Sequence, residues 1–147
     1  GRNLRRLHRS RPGARLGGVE ASDAMLQHAA DRCPWATLVH GFAETFDYTQ
    51  LLDGRPDRVL FSYSLSMVQD PVAALLSARD SLAPGGQVVV VDFADMATLP
   101  RPLRAGMDRW LRTFHVAPLD DALLTGQGAE VTYSAGRYFC IGRIHSA

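Results

Sequence analysis

The chain has 147 residues, 46% of them hydrophobic and 21% charged, which suits one compact domain over residues 1–147 and leaves no room for a second. Sixteen basic against 15 acidic residues leave a formal charge of +1, which gives no reason to expect nucleic acid as a partner. Every basic residue is arginine, with Arg2, Arg5, Arg6, Arg9, Arg11 and Arg15 at the start and Arg101, Arg104, Arg109 and Arg112 close together later; an all-arginine set reads as compositional habit before it reads as a binding surface.

The chain opens without methionine, at GRNLRRLHRS, and is expected to be a fragment of a longer one. Asn3 to Ser10 is predicted as a short basic helix, and RPGARLGGVE as a turn leading into a strand that ends at Glu20. ASDAMLQHAA follows as a helix, with Ser22 as N-cap, Asp23 in its positive first turn, and Met25, Leu26 and Ala29 on one face. A strand over Ala36–His40 comes after the Cys33-Pro34 break, then a short helix within GFAETFDYTQLLDG. The apolar run in DRVLFSYS predicts a strand buried on both faces.

Asp70-Pro71 reads as N-cap and first helical position for PVAALLSARDSLA, which stops at Pro84-Gly85-Gly86. Four consecutive valines make QVVVVDF a strand, since each is stiff at χ1 and suited to a pleated surface. Leu103, Met107, Trp110, Leu111 and Phe114 recur at helical spacing from Pro102 to Phe114, with arginines largely opposite. The stretch AEVTYSAGRYFCIGRI reads as two strands around Ser134-Ala135-Gly136, a hairpin. Strands alternating with helices imply parallel pairing, and the hairpin adds an antiparallel strand at the edge.

Cys33 and Cys140 are far apart and lack metal-ligand spacing, as do His28, His40 and His145; reduced core thiols and no metal are expected. No apolar stretch is long enough to span a membrane and no signal peptide opens the chain, so a cytoplasmic protein is expected.

In an open parallel sheet ligands bind beyond the carboxyl ends of the strands. Glu20 ends the first strand, where an acid either accepts hydrogen bonds from a ribose or serves as an N-terminal dipole partner for the next helix. In GFAETF, backbone groups at Phe42 and Ala43 either read an adenine edge or belong to a helix-start loop with Phe42 and Phe46 in the core. FSYS places the hydroxyls of Ser62, Tyr63 and Ser64 at a strand end, where apolar residues would be the structural expectation.

Together GVEASDAML, DRVLFSYSLSMV and LAPGGQVVVVDF resemble the second-, fourth- and fifth-strand motifs of class I S-adenosylmethionine-dependent methyltransferases, over nearly the whole chain. The resemblance implies an α/β, Rossmann-like, doubly wound and mostly parallel sheet with a C-terminal antiparallel hairpin. It also implies S-adenosyl-L-methionine as cofactor, held by Gly1, Glu20, Ala21, Met25, Phe42, Ala43 and Ser62, with Tyr63, Ser64 and His115 orienting the acceptor or relaying its proton. The family's first strand and its GxGxG loop have no counterpart except Gly1, which resembles the loop's last glycine. The isolated chain is therefore expected to be unstable or unable to bind the cofactor, because the neighbouring strands lose shared ladder partners.

SYSLSMV, VVDF and RWLRTFHVAP are further similar to bacterial diacylglyceryl-homoserine N-methyltransferases, which trimethylate the amine of a betaine-lipid headgroup. That similarity implies a lipid-headgroup acceptor and peripheral contact with the inner membrane face through the helix of Trp110 and its arginines. A small-metabolite acceptor such as a quinone precursor, and a non-catalytic degenerate module, remain alternatives. A nicotinamide dehydrogenase built on Tyr-x-x-x-Lys is excluded in a chain without lysine.

Overall fold

The computed structural model describes residues 1–113 and 118–146. Helix α1 (Arg2–Ser10) lays Leu4, Leu7 and His8 against the protein and leaves its arginines exposed, with His8 stacked on Trp35 at 4.0 Å. Strand β1 (Gly17–Glu20) pairs in parallel with β2 (Thr37–His40) across helix α2 (Asp23–Arg32). At Gly17 a Cβ would lie 2.8 Å from Leu51 and 3.0 Å from the Thr37 carbonyl, so glycine is what lets this ladder close. The Ser22 side chain caps α2 by accepting from Met25 N, as its position predicted.

A second ladder holds β3 (Arg58–Ser62), β4 (Gln87–Phe93), β5 (Glu130–Tyr133) and β6 (Phe139–His145) in the order β3-β4-β6-β5. β3 and β4 are parallel and joined through α3 (Pro71–Ser81), whereas β6 runs antiparallel to both β4 and β5. The alternating crossover and the reversed terminal hairpin agree with the sequence reading. Asp70 caps α3 from Ala73 N at 2.9 Å and Pro71 occupies its first turn. Gly85 sits at φ +75°, and a Cβ on Gly86 would meet the Ala83 carbonyl at 2.7 Å, which explains the Pro-Gly-Gly turn before β4. Helices α4 (Arg101–Thr113) and α5 (Asp121–Gly126) lie between β4 and the hairpin.

The core forms where Val59 and Phe61 of β3 and Val88 and Val90 of β4 meet Ala74, Leu75 and Ala78 of α3, with Leu65, Leu124, Cys140 and Ile144 completing it. Full burial of Leu65 and of Leu75 contributes about 1.5–3 kcal/mol each. The two ladders are tied through the segment after β2. Ser77 Oγ donates to the Phe46 carbonyl at 2.6 Å, Tyr48 N donates to Ser81 Oγ at 3.2 Å, and Tyr48 is buried with its phenol pushed up to about 12 by that burial.

Several expectations change. β3 is not buried on both faces: Arg58 is exposed and Leu60 is 42% exposed, because α3 covers only the face that carries Val59 and Phe61. Met25 shares the face of Ala29 one turn along α2, yet it is 55% exposed while Ala29 is buried. The helix expected before Gly54 is a single 3₁₀ turn over Tyr48–Gln50, capped by Asp47. Helix α5 is not foreseen by apolar periodicity, being too short to show any. Among the described residues no strand lies between β1 and β3 in the ladders.

Candidate active site

The carboxyl ends of β1 and β2 bring one set of predicted residues together. Glu20, half-buried, accepts from Ser22 N through Oε1 at 3.1 Å, so its carboxylate braces the start of α2 while Oε2 has no partner among the described residues. Ala21 is exposed, and its carbonyl lies 3.0 Å from His40 Nε2; His40 in turn stands 3.7 Å from Asp23 and edge-on to the ring of Phe42 at 6.0 Å. Phe42 is 54% exposed and so is not the core residue that the structural alternative required, while Ala43 and Phe46 do pack against the core. Gly1 stands at the start of α1, where its carbonyl accepts from Arg5 N at 3.1 Å and from Cys33 Sγ at 3.4 Å.

The ends of β3 and β4 form the second set. Ser62 continues into Tyr63, which takes φ +52° while its N–H donates to the Val91 carbonyl at 2.7 Å; Ser64 then opens the 3₁₀ turn Leu65–Met67. A tyrosine in the left-handed region is strained by about 1–3 kcal/mol and is held there by its surroundings. Met96 and Arg137, at φ +52° and +50°, share that condition at the same end of the sheet. Tyr63 remains 37% exposed, with Phe93 at 4.7 Å between ring centroids and Tyr138 5.5 Å beyond Phe93. Burial raises the Tyr63 phenol above its usual value, and Tyr138, Asp92 and Cys140 add to the effect, so the hydroxyl stays protonated at neutral pH.

Asp92 is the residue that sequence reasoning missed. It is fully buried; Oδ2 accepts from Ser66 N at 3.1 Å, and Oδ1 accepts from Phe93 N at 2.9 Å and pairs with Ser66 Oγ at 3.1 Å. The signal was available, because positions 88, 90 and 92 share one face of β4 and a carboxylate following two core valines needs a reason. Its bonds fasten the Ser64–Met67 turn to β4 and thereby fix the chain that carries Tyr63. Phe93 and Tyr138 were also missed, since only the antiparallel register of β6 on β4, Phe93 opposite Phe139, brings them together. His115, predicted as an acceptor-side residue, and Phe114 lie outside the described residues. Cys33 and Cys140 are buried free thiols, and the described residues contain no cluster that could hold a metal ion.

A polar clasp braces this end from outside. Arg137 donates to both oxygens of Asp95, at 2.7 and 3.0 Å, and to Asp121 at 3.2 Å; it also lies 3.8 Å over the ring of Tyr133, whose hydroxyl bonds Asp121. The Arg137 bonds hold the Asp95 carboxyl below its usual range. A depressed carboxyl stabilises the fold above its unfolded-state pKa, near 4, and that contribution disappears as pH falls through the lower folded value. The thermal midpoint is therefore expected to fall more between pH 5 and about 3 in the native protein than in Arg137→Gln, where Asp95 loses the largest of the influences that lower its carboxyl. Equal acid losses in the two proteins would count against the clasp.

Residues 1–90 match the family described as Methyltransferase domain. No curated protein gives a significant match. Among solved structures, the N-methyltransferase NodS from Bradyrhizobium japonicum WM9, in complex with S-adenosyl-L-homocysteine, is 16% identical with a TM-score of 0.60 over 90% of this chain and 66% of NodS. The putative methyltransferase bound to the Haloferax volcanii Trm112 activator is 16% identical with a TM-score of 0.68, over 97% of this chain and 77% of that one. The plantazolicin methyltransferase BamL, in complex with a triazolic desmethylPZN analog and S-adenosylhomocysteine, reaches a TM-score of 0.70 at 12% identity, over 99% of this chain and 73% of that one. Such identities show a common fold, here the Rossmann-like one, and the chain spans just under two thirds of NodS.

Proposed function

The chain belongs to the methyltransferase-domain family, whose cofactor is S-adenosylmethionine, and from that membership we propose that it methylates the amine of a lipid headgroup of the betaine-lipid type. The observation that carries the reading is the acceptor-side strand end, where a strained, exposed and protonated Tyr63 is fixed between two serines by the buried anchor of Asp92.

The residues present suit the adenosine half of the cofactor. Glu20 keeps a carboxylate oxygen for the ribose, exposed Phe42 and Met25 offer apolar surface to the adenine, and the backbone of Phe42 and Ala43 lies within the same loop. Ala21 and Ser62 stand at the strand ends, whereas Gly1 packs on the C-terminal end of α2 against Cys33 and Ala29, so its assignment to the methionine half rests on the family resemblance alone. When bound, the cofactor supplies an electrophilic methyl group. The protein's own part is alignment of a neutral amine and exclusion of water, for which Tyr63, Ser64 and His115 are the orienting groups. Helix α4 favours a lipid-borne acceptor: Arg101, Arg104, Arg109 and Leu103 are all exposed, Leu103 at 62%, which suits contact with an anionic bilayer surface. No described helix is long and apolar enough to cross a membrane.

The test is to incubate the full-length protein with cofactor and three acceptors, namely diacylglyceryl-homoserine in anionic vesicles, its free headgroup, and a quinone precursor, and to follow S-adenosylhomocysteine and the methylated products by mass spectrometry. Methyl transfer to the vesicle-borne amine is expected, weakened by the double change Leu103→Ala and Arg104→Ala while transfer to the free headgroup is spared. Transfer to the quinone precursor alone would replace the acceptor, and no turnover at all would favour a degenerate domain.

A further inference from the structure

Three aromatic rings converge at the acceptor end from different elements: Tyr63 after β3, Phe93 at the end of β4 and Tyr138 just before β6. Tyr63 and Phe93 are tilted by 52° and Phe93 and Tyr138 stand at 82°, so the cluster turns ring faces and edges in more than one direction. The outermost ring, Tyr63, is 37% exposed and takes a backbone conformation that costs free energy.

The second observation is electrostatic. Asp92, 0% exposed, receives its bonds only from Ser66 and from Phe93 N, and no cation pairs with it among the described residues. Arg137, next to Tyr138, is already engaged by Asp95 and Asp121. Buried carboxylates are ordinarily matched by a positive group; this one shares the face of Val88 and Val90, opposite Phe93, yet lies near enough to Tyr63 to raise its phenol, and aromatic faces themselves attract cations. A hydrated primary ammonium suits such a surface poorly, because it gives up strong hydrogen bonds that rings do not replace. An N-methylated ammonium spreads its charge over methyl groups and does suit it.

We propose that Tyr63, Phe93 and Tyr138, backed by Asp92, form a binding site for an N-methylated ammonium group. The inference rests on the amine-methylating function and sharpens it: the preferred acceptor is an amine that already carries methyl groups, and the quaternary product is held where its charge develops.

Choline and its neutral isostere 3,3-dimethylbutan-1-ol are the probes, titrated against the protein with saturation transfer to their methyl protons as the readout. Choline is expected to bind at least roughly fivefold more tightly than the isostere. Tyr63→Phe, which keeps the ring, should retain that preference, and Tyr63→Leu should lose most of it, with Tyr63→Phe also reporting that the turn still folds. Equal binding of the two probes, or an undiminished preference in Tyr63→Leu, overturns the site. The outcome separates from that of the functional reading: amine methylation without choline preference removes only the cation site, whereas choline preference in a protein that methylates no amine removes the function and leaves the site.

Discussion

Asp92→Ala is expected to destabilise the protein by roughly 3–5 kcal/mol, because it strips partners from two backbone N–H groups and from the Ser66 hydroxyl at a position with no access to water. That is a large share of the ~5–15 kcal/mol by which domains of this size are stable. Asp92→Asn should fall between. Its amide oxygen can still accept from Phe93 N, but its NH₂ would then meet Ser66 N, donor against donor. Denaturant unfolding followed by circular dichroism gives the comparison, with the midpoint moving and the slope unchanged. A loss below about 1 kcal/mol for Asp92→Ala would mean that the Ser64–Met67 turn is held by packing alone.

Glu20→Ala separates two meanings of one carboxylate. If Glu20 only braces the start of α2, its removal costs roughly 0.5–1 kcal/mol of stability and leaves cofactor affinity untouched. If its free oxygen also holds a ribose, affinity for S-adenosylhomocysteine falls by roughly tenfold or more, since a hydrogen bond to a charged group contributes about 1.5–3 kcal/mol. The second outcome is expected, read by calorimetric titration of the full-length protein alongside a thermal melt of the same variant. Glu20→Gln, which keeps an acceptor without the charge, should recover part of the affinity.

Local chemistry was legible in the sequence wherever one residue decides one feature. Ser22 and Asp70 cap the helices that their positions announced, the valines of β4 form a strand, and the turn at Ser134–Gly136 reverses the chain between β5 and β6. What escaped depends on partners distant in sequence. Leu60 looks like core until one sees which face α3 covers, and α5 is too short for periodicity and is held by the Asp120 cap and the burial of Leu124. The site divides in the same way. Glu20, Phe42 and Tyr63 were readable as strand-end residues, and Asp92 as a carboxylate on the valine face of β4, whereas its role in holding the Ser64–Met67 turn, and the meeting of Phe93 with Tyr138, appear only through partners distant in sequence.

The two separate ladders carry a consequence for binding. β4 pairs along its full length with β6 and also with β3, while β1 and β2 form a two-stranded ladder of four residue pairs fastened to α3 through Phe46 and Tyr48. Two strands alone are marginal in water, so in this chain the order of β1–β2 and of the loops it bears rests on its packing with α2 and on the two hydrogen bonds to α3. Glu20, Ala21, Phe42 and Ala43 all sit on that unit. On the proposed reading, a nucleoside held by these residues depends on contacts that tie β1–β2 to α2 and α3 rather than on a wide sheet, so substitutions at Ser77 or Ser81 are expected to weaken its binding without touching it.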